Sequence, residues 1–124
     1  MVYTFTIHSR LSGMNDFIGA QRKNKYAGAE FKRRQQEIVV HEIRRQLHGV
    51  KIKRPVRISY IWIERDKRRD LDNISGFGHK VVQDALVQCK VLKNDGWAEI
   101  VGYRDYFEVD KERPRVIVSI EEVE

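Results

Sequence analysis

The segment from Pro55 to Arg65 constrains the fold of this chain more than any other. Read as a strand, it puts Val56, Ile58, Tyr60 and Trp62 on one face and Arg57, Ser59, Ile61 and Ile63 on the other, because side chains alternate along an extended backbone. Both faces are largely apolar, which predicts a central strand with neighbours on either side. A chain of 124 residues can bury one modest core around it, not two.

The flanking patterns supply the neighbours. Val2 to His8 alternates apolar and polar residues and reads as a first strand. Ser9 to Asn24, with Ser12, Gly13 and Asn15 near its start, reads as a loop with room for one short helical turn, and long loops in compact domains are often functional. From about Lys25 to His48 the pattern is helical: Val39, Val40, Ile43 and Leu47 recur at helical spacing, and Gly49 is the expected stop. A second helix lies within Asn73 to Lys90, with Val81, Val82, Ala85, Leu86 and Cys89 inward, while Gly76 and Gly78 leave its start open. Glu99 to Asp110 and Arg115 to Glu122 read as two strands joined by Lys111 to Pro114 as a hairpin. The order β-α-β-α-β-β predicts a single α+β domain spanning residues 1–124, a mixed sheet with helices packed on it.

Charge is unevenly spread. The formal charge is +6, but residues 1–69 carry 17 basic and 6 acidic side chains, net +11, against 7 basic and 12 acidic, net −5, in residues 70–124. Such a basic half suggests a polyanion held by its backbone, the alternative being a solvated helix face. Arg33 and Arg44 fall on one side of the first helix three turns apart, a spacing suited to tracking phosphates. No apolar run approaches the ~18 residues of a membrane span, and Met1 to His8 reads as a strand rather than a signal peptide. One cysteine, Cys89, builds no disulfide framework, and with His8, His41, His48 and His79 it makes no zinc-ligand spacing. A cytoplasmic chain without membrane contact is expected.

The acidic residues carry the chemistry. In Arg68-Arg69-Asp70-Leu71-Asp72-Asn73, an extended backbone would point Asp70 and Asp72 the same way, and two carboxylates on one face need a cation, either Arg68 or Arg69 or a hard divalent ion such as Mg²⁺. The plain alternative makes Asp72 and Asn73 a helix cap and its neighbour. After the second helix, Asn94-Asp95-Gly96 taken alone reads as a turn, and as a further carboxylate only in combination with the Asp pair and the intervening lysine.

The run Asp70-Leu71-Asp72-Asn73, then Lys80 four residues before Asp84-Ala85-Leu86, then Asp95, resembles the RusA family of Holliday junction resolvases. The resemblance extends over most of the chain, including an early strand, a loop with Asn15 and a basic helix. It implies a small homodimer of RusA-like fold acting in DNA recombination and repair. In that role Asp70, Asp72 and Asp95 hold Mg²⁺, with Mn²⁺ as a substitute, and Lys80 assists catalysis of paired cuts in branched DNA, chiefly four-way junctions. The chain is about four residues longer than better-known members between Asp72 and Asp84, through Ser75-Gly76-Phe77-Gly78, so Lys80 is assigned by its spacing to Asp84. Its alternative role is an ion pair with Asp84.

Contacts to DNA are expected from Arg10, Lys23, Lys25, Lys32, Arg33, Arg44, Arg68 and Arg69, mainly through phosphates, with Asn15 and Asn73 added by the resemblance. Phe77 and Trp97 are candidates for an unstacked base or a dimer interface, Phe77 also for the core. A helix continuous from Asn73 to Lys90 would span ~27 Å, which Val91 to Asp95 cannot retrace, so either the helix starts late or the triad closes across a dimer. Two rival readings stand beside the resolvase: a DNA-binding protein without catalysis, and a metal nuclease acting on flaps, forks or RNA.

Overall fold

The computed structural model describes residues 1–123. The elements run β1 (Val2–Ile7), α1 (Met14–Lys23), α2 (Lys25–Gln46), β2 (Val56–Glu64), α3 (Leu71–Gln88), β3 (Ile100–Val109) and β4 (Arg115–Glu122). The sheet order is β1-β4-β2-β3, with β4 antiparallel to both β1 and β2 and β3 parallel to β2. The expected α+β domain with a mixed sheet is present, and β2 has a neighbour on each side.

The helices cover one face of the sheet. Val56, Ile58, Tyr60 and Trp62 of β2 are buried there with Phe5, Ile7, Val116, Val118 and Ile120, against Val39, Val40 and Ile43 of α2 and Val81, Val82, Ala85 and Leu86 of α3. On the opposite face Ile61 and Ile117 stay half-buried. Glu42 fastens α2 to the sheet by accepting the His8 amide at 3.1 Å, and the Gln46 side chain exchanges two hydrogen bonds with the Thr6 backbone.

Three expectations are corrected. The loop after β1 contains a ten-residue helix, α1, separated from α2 by Asn24, whose side chain caps α2 by accepting the Ala27 amide at 2.8 Å. The segment Lys111 to Pro114 is not a hairpin, since β3 and β4 flank β2 instead of pairing with each other. It bridges the end of β2 as a compact turn, in which Asp110 accepts the Glu112 and Arg113 amides and pairs with Arg115 at 3.0 Å. Finally, α3 is continuous from Leu71 through both glycines.

Gly78 explains how a glycine can belong inside that helix: a Cβ there would lie 2.5 Å from the Trp62 indole, so its bare backbone lets α3 settle onto β2. Among the described residues no helix is long and apolar enough to cross a membrane.

The two helix glycines should therefore behave oppositely. Gly78→Ala forces its methyl into an indole that is only 1% exposed and should destabilise the fold despite the ~1 kcal/mol that alanine gains in helix propensity, since overpacking costs about 1–3 kcal/mol. At Gly76 the methyl would meet only the flexible end of Met14 at 3.4 Å, so Gly76→Ala should stabilise by up to ~1 kcal/mol. Urea unfolding of both variants measures the contrast.

Candidate active site

The site is built where β2 ends. Its register continues the helix-facing row Val56, Ile58, Tyr60, Trp62 with an acid, Glu64, which is 6% exposed. Burial of a carboxylate demands a partner, and Arg69 supplies a two-pronged one, Nε and Nη2 donating to Glu64 at 2.9 and 2.7 Å. Arg69 Nη1 also donates to the Leu11 carbonyl at 3.2 Å, and Arg10 approaches Glu64 to 3.9 Å. This clamp ties the segments that follow β1 and β2, and the next residue, Asp70, begins α3.

Asp70 is the N-cap residue, extended at φ −67° and ψ 153°, but its side chain caps nothing. Asp72 lies in the first helical turn, where the helix dipole favours negative charge. Asn73, the next residue, is committed elsewhere, its Oδ1 accepting the Asn15 amide at 2.7 Å. A side chain of α3 thus caps the start of α1, reinforced by Asp16, which accepts the Gly13 amide at 3.1 Å. A Cβ on Gly13 would lie 2.6 Å from the Asn73 amide group, so glycine there lets the cap approach.

The chain has eight aspartates, and the fold commits five of them. Asp16 caps α1, Asp66 binds the Arg68 amide, Asp84 pairs with Lys32, Asp105 accepts from Trp62 and Asp110 holds the turn before β4. The remaining three are Asp70, Asp72 and Asp95, whose carboxylates have no hydrogen bond or ion pair among the described residues. Asp70 and Asp72 are exposed at the carboxyl end of β2, and Asp70 borders a cleft with Glu64, Leu71, Phe107 and Val109. Asp95 lies half-buried at the far end, in a cavity with Gln83, Trp97 and Tyr103. Gln83, beside which the chain has turned back at Asp95, is 13 residues along α3 from Asp70, ~20 Å on the helix axis. Accordingly, no three His, Cys, Asp or Glu side chains among the described residues converge to hold an ion within one chain.

Lys80 pairs with Asp84 at 3.3 Å, as does Lys32 at 2.6 Å. Burial pushes the Asp84 carboxyl up, and the Lys32 hydrogen bond with the charges of both lysines more than reverses this, leaving it below the ordinary carboxylate range. Ten residues along α3 set Lys80 ~15 Å from Asp70. The structure gives it the ion pair and keeps it from the carboxylates of its own chain.

The expected phosphate-tracking row on α2 is also largely spent. Arg33 binds both Glu30 and Glu37, Arg34 binds Glu30, and Glu30 is held down to about 2 by the Arg33 and Arg34 hydrogen bonds. Lys32 is engaged by Asp84 and Arg69 by Glu64. Lys23, Lys25 and Arg44 stay exposed, and Arg68 is 85% exposed with only a 3.7 Å approach to Asp66.

Sequence reasoning missed a polar knot inside the aromatic layer. Asp105 Oδ1 accepts the Trp62 indole N–H at 2.7 Å and lies 2.7 Å from His79 Nε2, with the Tyr60 and Tyr103 rings packed on His79. Desolvation raises the Tyr60 hydroxyl well above its ordinary value. The signal was present: Asp105 interrupts the row Tyr103, Phe107 on an otherwise apolar face. Phe77 is core, stacked on Phe17 at 4.6 Å, whereas Trp97 is 95% exposed. No protein-family model matches this chain, and no curated protein matches it.

The inter-helix cap has a measurable value. Asn73→Ala leaves the Asn15 amide without its partner and should cost about 1 kcal/mol, in the range of other lost N-caps. Amide hydrogen exchange should localise the loss to α1, and Asn73→Asp, which keeps the acceptor, should restore it.

Proposed function

We propose that this chain is a Mg²⁺-dependent, structure-specific endonuclease of the RusA type, acting as a homodimer on branched DNA. One observation carries the reading: of eight aspartates, the three whose carboxylates have no partner among the described residues are Asp70, Asp72 and Asp95. Uncommitted carboxylates are costly to cluster and useful only with a cation, and an all-oxygen donor set suits a hard ion such as Mg²⁺. Such an ion would supply an activated water and stabilise the developing charge of a phosphodiester under hydrolysis. The contribution of the chain is to hold the carboxylates on rigid elements, Asp70 and Asp72 behind the Glu64–Arg69 clamp and Asp95 behind the end of α3.

The separation of Asp95 from the pair calls for a second copy. β3 is an edge strand whose outer backbone has no neighbour among the described residues, and Val101, Tyr103, Tyr106 and Val109 along it, with Trp97 just before it, are large exposed apolar side chains. Two β3 edges meeting antiparallel about a two-fold axis would bring the Asp70 end of one copy beside Asp95 of the partner subunit. Each dimer would then hold two composite sites, the number that paired cuts require.

Two experiments test this. Asp70→Asn and Asp72→Asn should each lower cleavage of a labelled four-way junction in Mg²⁺ at least ~10²-fold, since even outer partners of metal ligands cost 10–100-fold. Cleavage at the wild-type rate by both variants would remove these aspartates from catalysis, absence of cleavage by the parent would leave only a DNA-binding protein, and equal cleavage of flaps or RNA would replace the junction as substrate. Mixing Asp70→Asn with Asp95→Asn subunits should rescue single-strand nicking, because one of the two composite sites in each mixed dimer is intact. A site contained within one chain predicts no rescue.

A further inference from the structure

A second cavity opens at the same end of the sheet, on the other side of β2 from Asp70. Segments distant in sequence build it: Ser9 and Arg10 after β1, Arg65 after β2, Glu112 and Arg113 before β4, and Arg115 at its start. These strands are adjacent in the order β1-β4-β2, so their ends converge, and the cavity of about 490 Å³ is open to solvent. Ligands of open α/β sheets commonly bind at the carboxyl ends of the parallel strands.

Four guanidinium groups line it against one carboxylate, Glu112. Arg115 is spent on Asp110 and on the Arg113 carbonyl. The other three are loosely held. Arg10 lies 3.9 Å from a Glu64 already gripped by Arg69, Arg65 lies 3.8 Å from Asp66 and is 57% exposed, and the Arg113 side chain has no ion pair among the described residues. Converging cations repel unless an anion lies between them. A second observation is independent of charge. Ser9 Oγ is the single buried side-chain polar atom without a hydrogen-bond partner among the described residues, and such atoms are rare enough to require an explanation. The hydroxyl belongs to a residue of the cavity wall, and a turn of the side chain toward the guanidinium groups would give it an oxyanion acceptor, whose oxygens arginine forks fit in pairs.

We propose that this cavity binds a backbone phosphate of the nucleic-acid strand, beside the scissile one, through Arg10, Arg65, Arg113 and the Ser9 hydroxyl. The proposal rests on the nucleic-acid reading above and deepens it: the grip on the substrate lies at the strand ends, next to Asp70, rather than along α2. A free phosphate offers the same chemistry, and the two sources are separable by experiment.

Binding is measured in an Asp70→Asn background by fluorescence anisotropy of a labelled four-way junction across a salt series. Arg65→Gln/Arg113→Gln should weaken binding at least ~10-fold and reduce the slope of log affinity against log salt by about 1, the signature of one phosphate contact. Ser9→Ala, which adds no bulk, should weaken binding up to ~10-fold, the loss expected for one hydrogen bond to a charged group. Lys51→Gln/Lys53→Gln, removing two exposed cations before β2, should leave the slope changed less than the arginine pair does. Equal slopes for the parent and the arginine variant overturn the pocket while leaving the nuclease reading intact. Absence of junction binding by the parent overturns both. Inorganic phosphate is titrated separately, following the arginine Nε signals by NMR. Saturation in that arm with unchanged junction affinity in the arginine variant would assign the cavity to free phosphate and overturn the strand assignment.

Discussion

The two-pronged contact between Arg69 and Glu64 is the constraint on which the site depends. A carboxylate at the end of a central strand's buried row can stay charged only if a donor covers it, and Arg69 does so with both sides of its fork while reaching the Leu11 carbonyl. The net stability of such a pair is small, because desolvation offsets most of the attraction; losing one partner is costly, about 3–5 kcal/mol. Its larger effect is geometric. It fixes the direction in which the chain leaves β2, and so the place where α3 begins and Asp70 and Asp72 are presented. The residue that looked in sequence like a phosphate ligand is therefore a positioning residue for the acids that follow it.

The same exchange of roles runs through the charge distribution. The basic half of the sequence reads as a DNA-binding helix, but α2 pairs most of its arginines internally, Arg33 and Arg34 with Glu30 and Arg45 with Glu42. Intrahelical pairs at these spacings are weak individually, yet they occupy three of the four arginines of α2 and leave Arg44 exposed. The less committed cations Arg10, Arg65 and Arg113 gather instead at the strand ends, and Arg113 comes from the half whose net charge is negative. Net charge along the sequence averaged over a surface that folding reassembles from three separate segments.

Much of the fold was legible because it rests on local periodicity. The doubly apolar pattern of Val56 to Ile63 gave the middle strand, and the spacing of Val39, Val40, Ile43 and Leu47 gave the buried stripe of α2. What failed depends on partners remote in sequence. α1 buries none of its residues completely, and its start is capped by Asn73, 58 residues away from Asn15, so no local pattern announced it. β3 and β4 follow each other in sequence as a hairpin would, and only competition for the two edges of β2 separates them. The three aspartates were found by resemblance and spacing; that the fold leaves these three alone uncommitted is visible only once the other five have found their donors.

The continuity of α3 links the core to the proposed assembly. Had Gly76 and Gly78 unravelled the first turns, the shorter helix would have let Asp95 return toward Asp72 in the same chain. Gly78 instead admits the Trp62 indole against the helix backbone, and the core holds both ends of α3 straight and apart. A packing contact between a glycine and a tryptophan thereby bears on the proposed dimer: pairing that set equivalent ends of β3 together would place Asp95 beside Asp95 of the partner subunit and leave each proposed site without its third carboxylate. In the proposed assembly an antiparallel meeting of β3 edges would join opposite ends, and a two-fold axis perpendicular to the strands would produce that meeting twice, giving two composite sites.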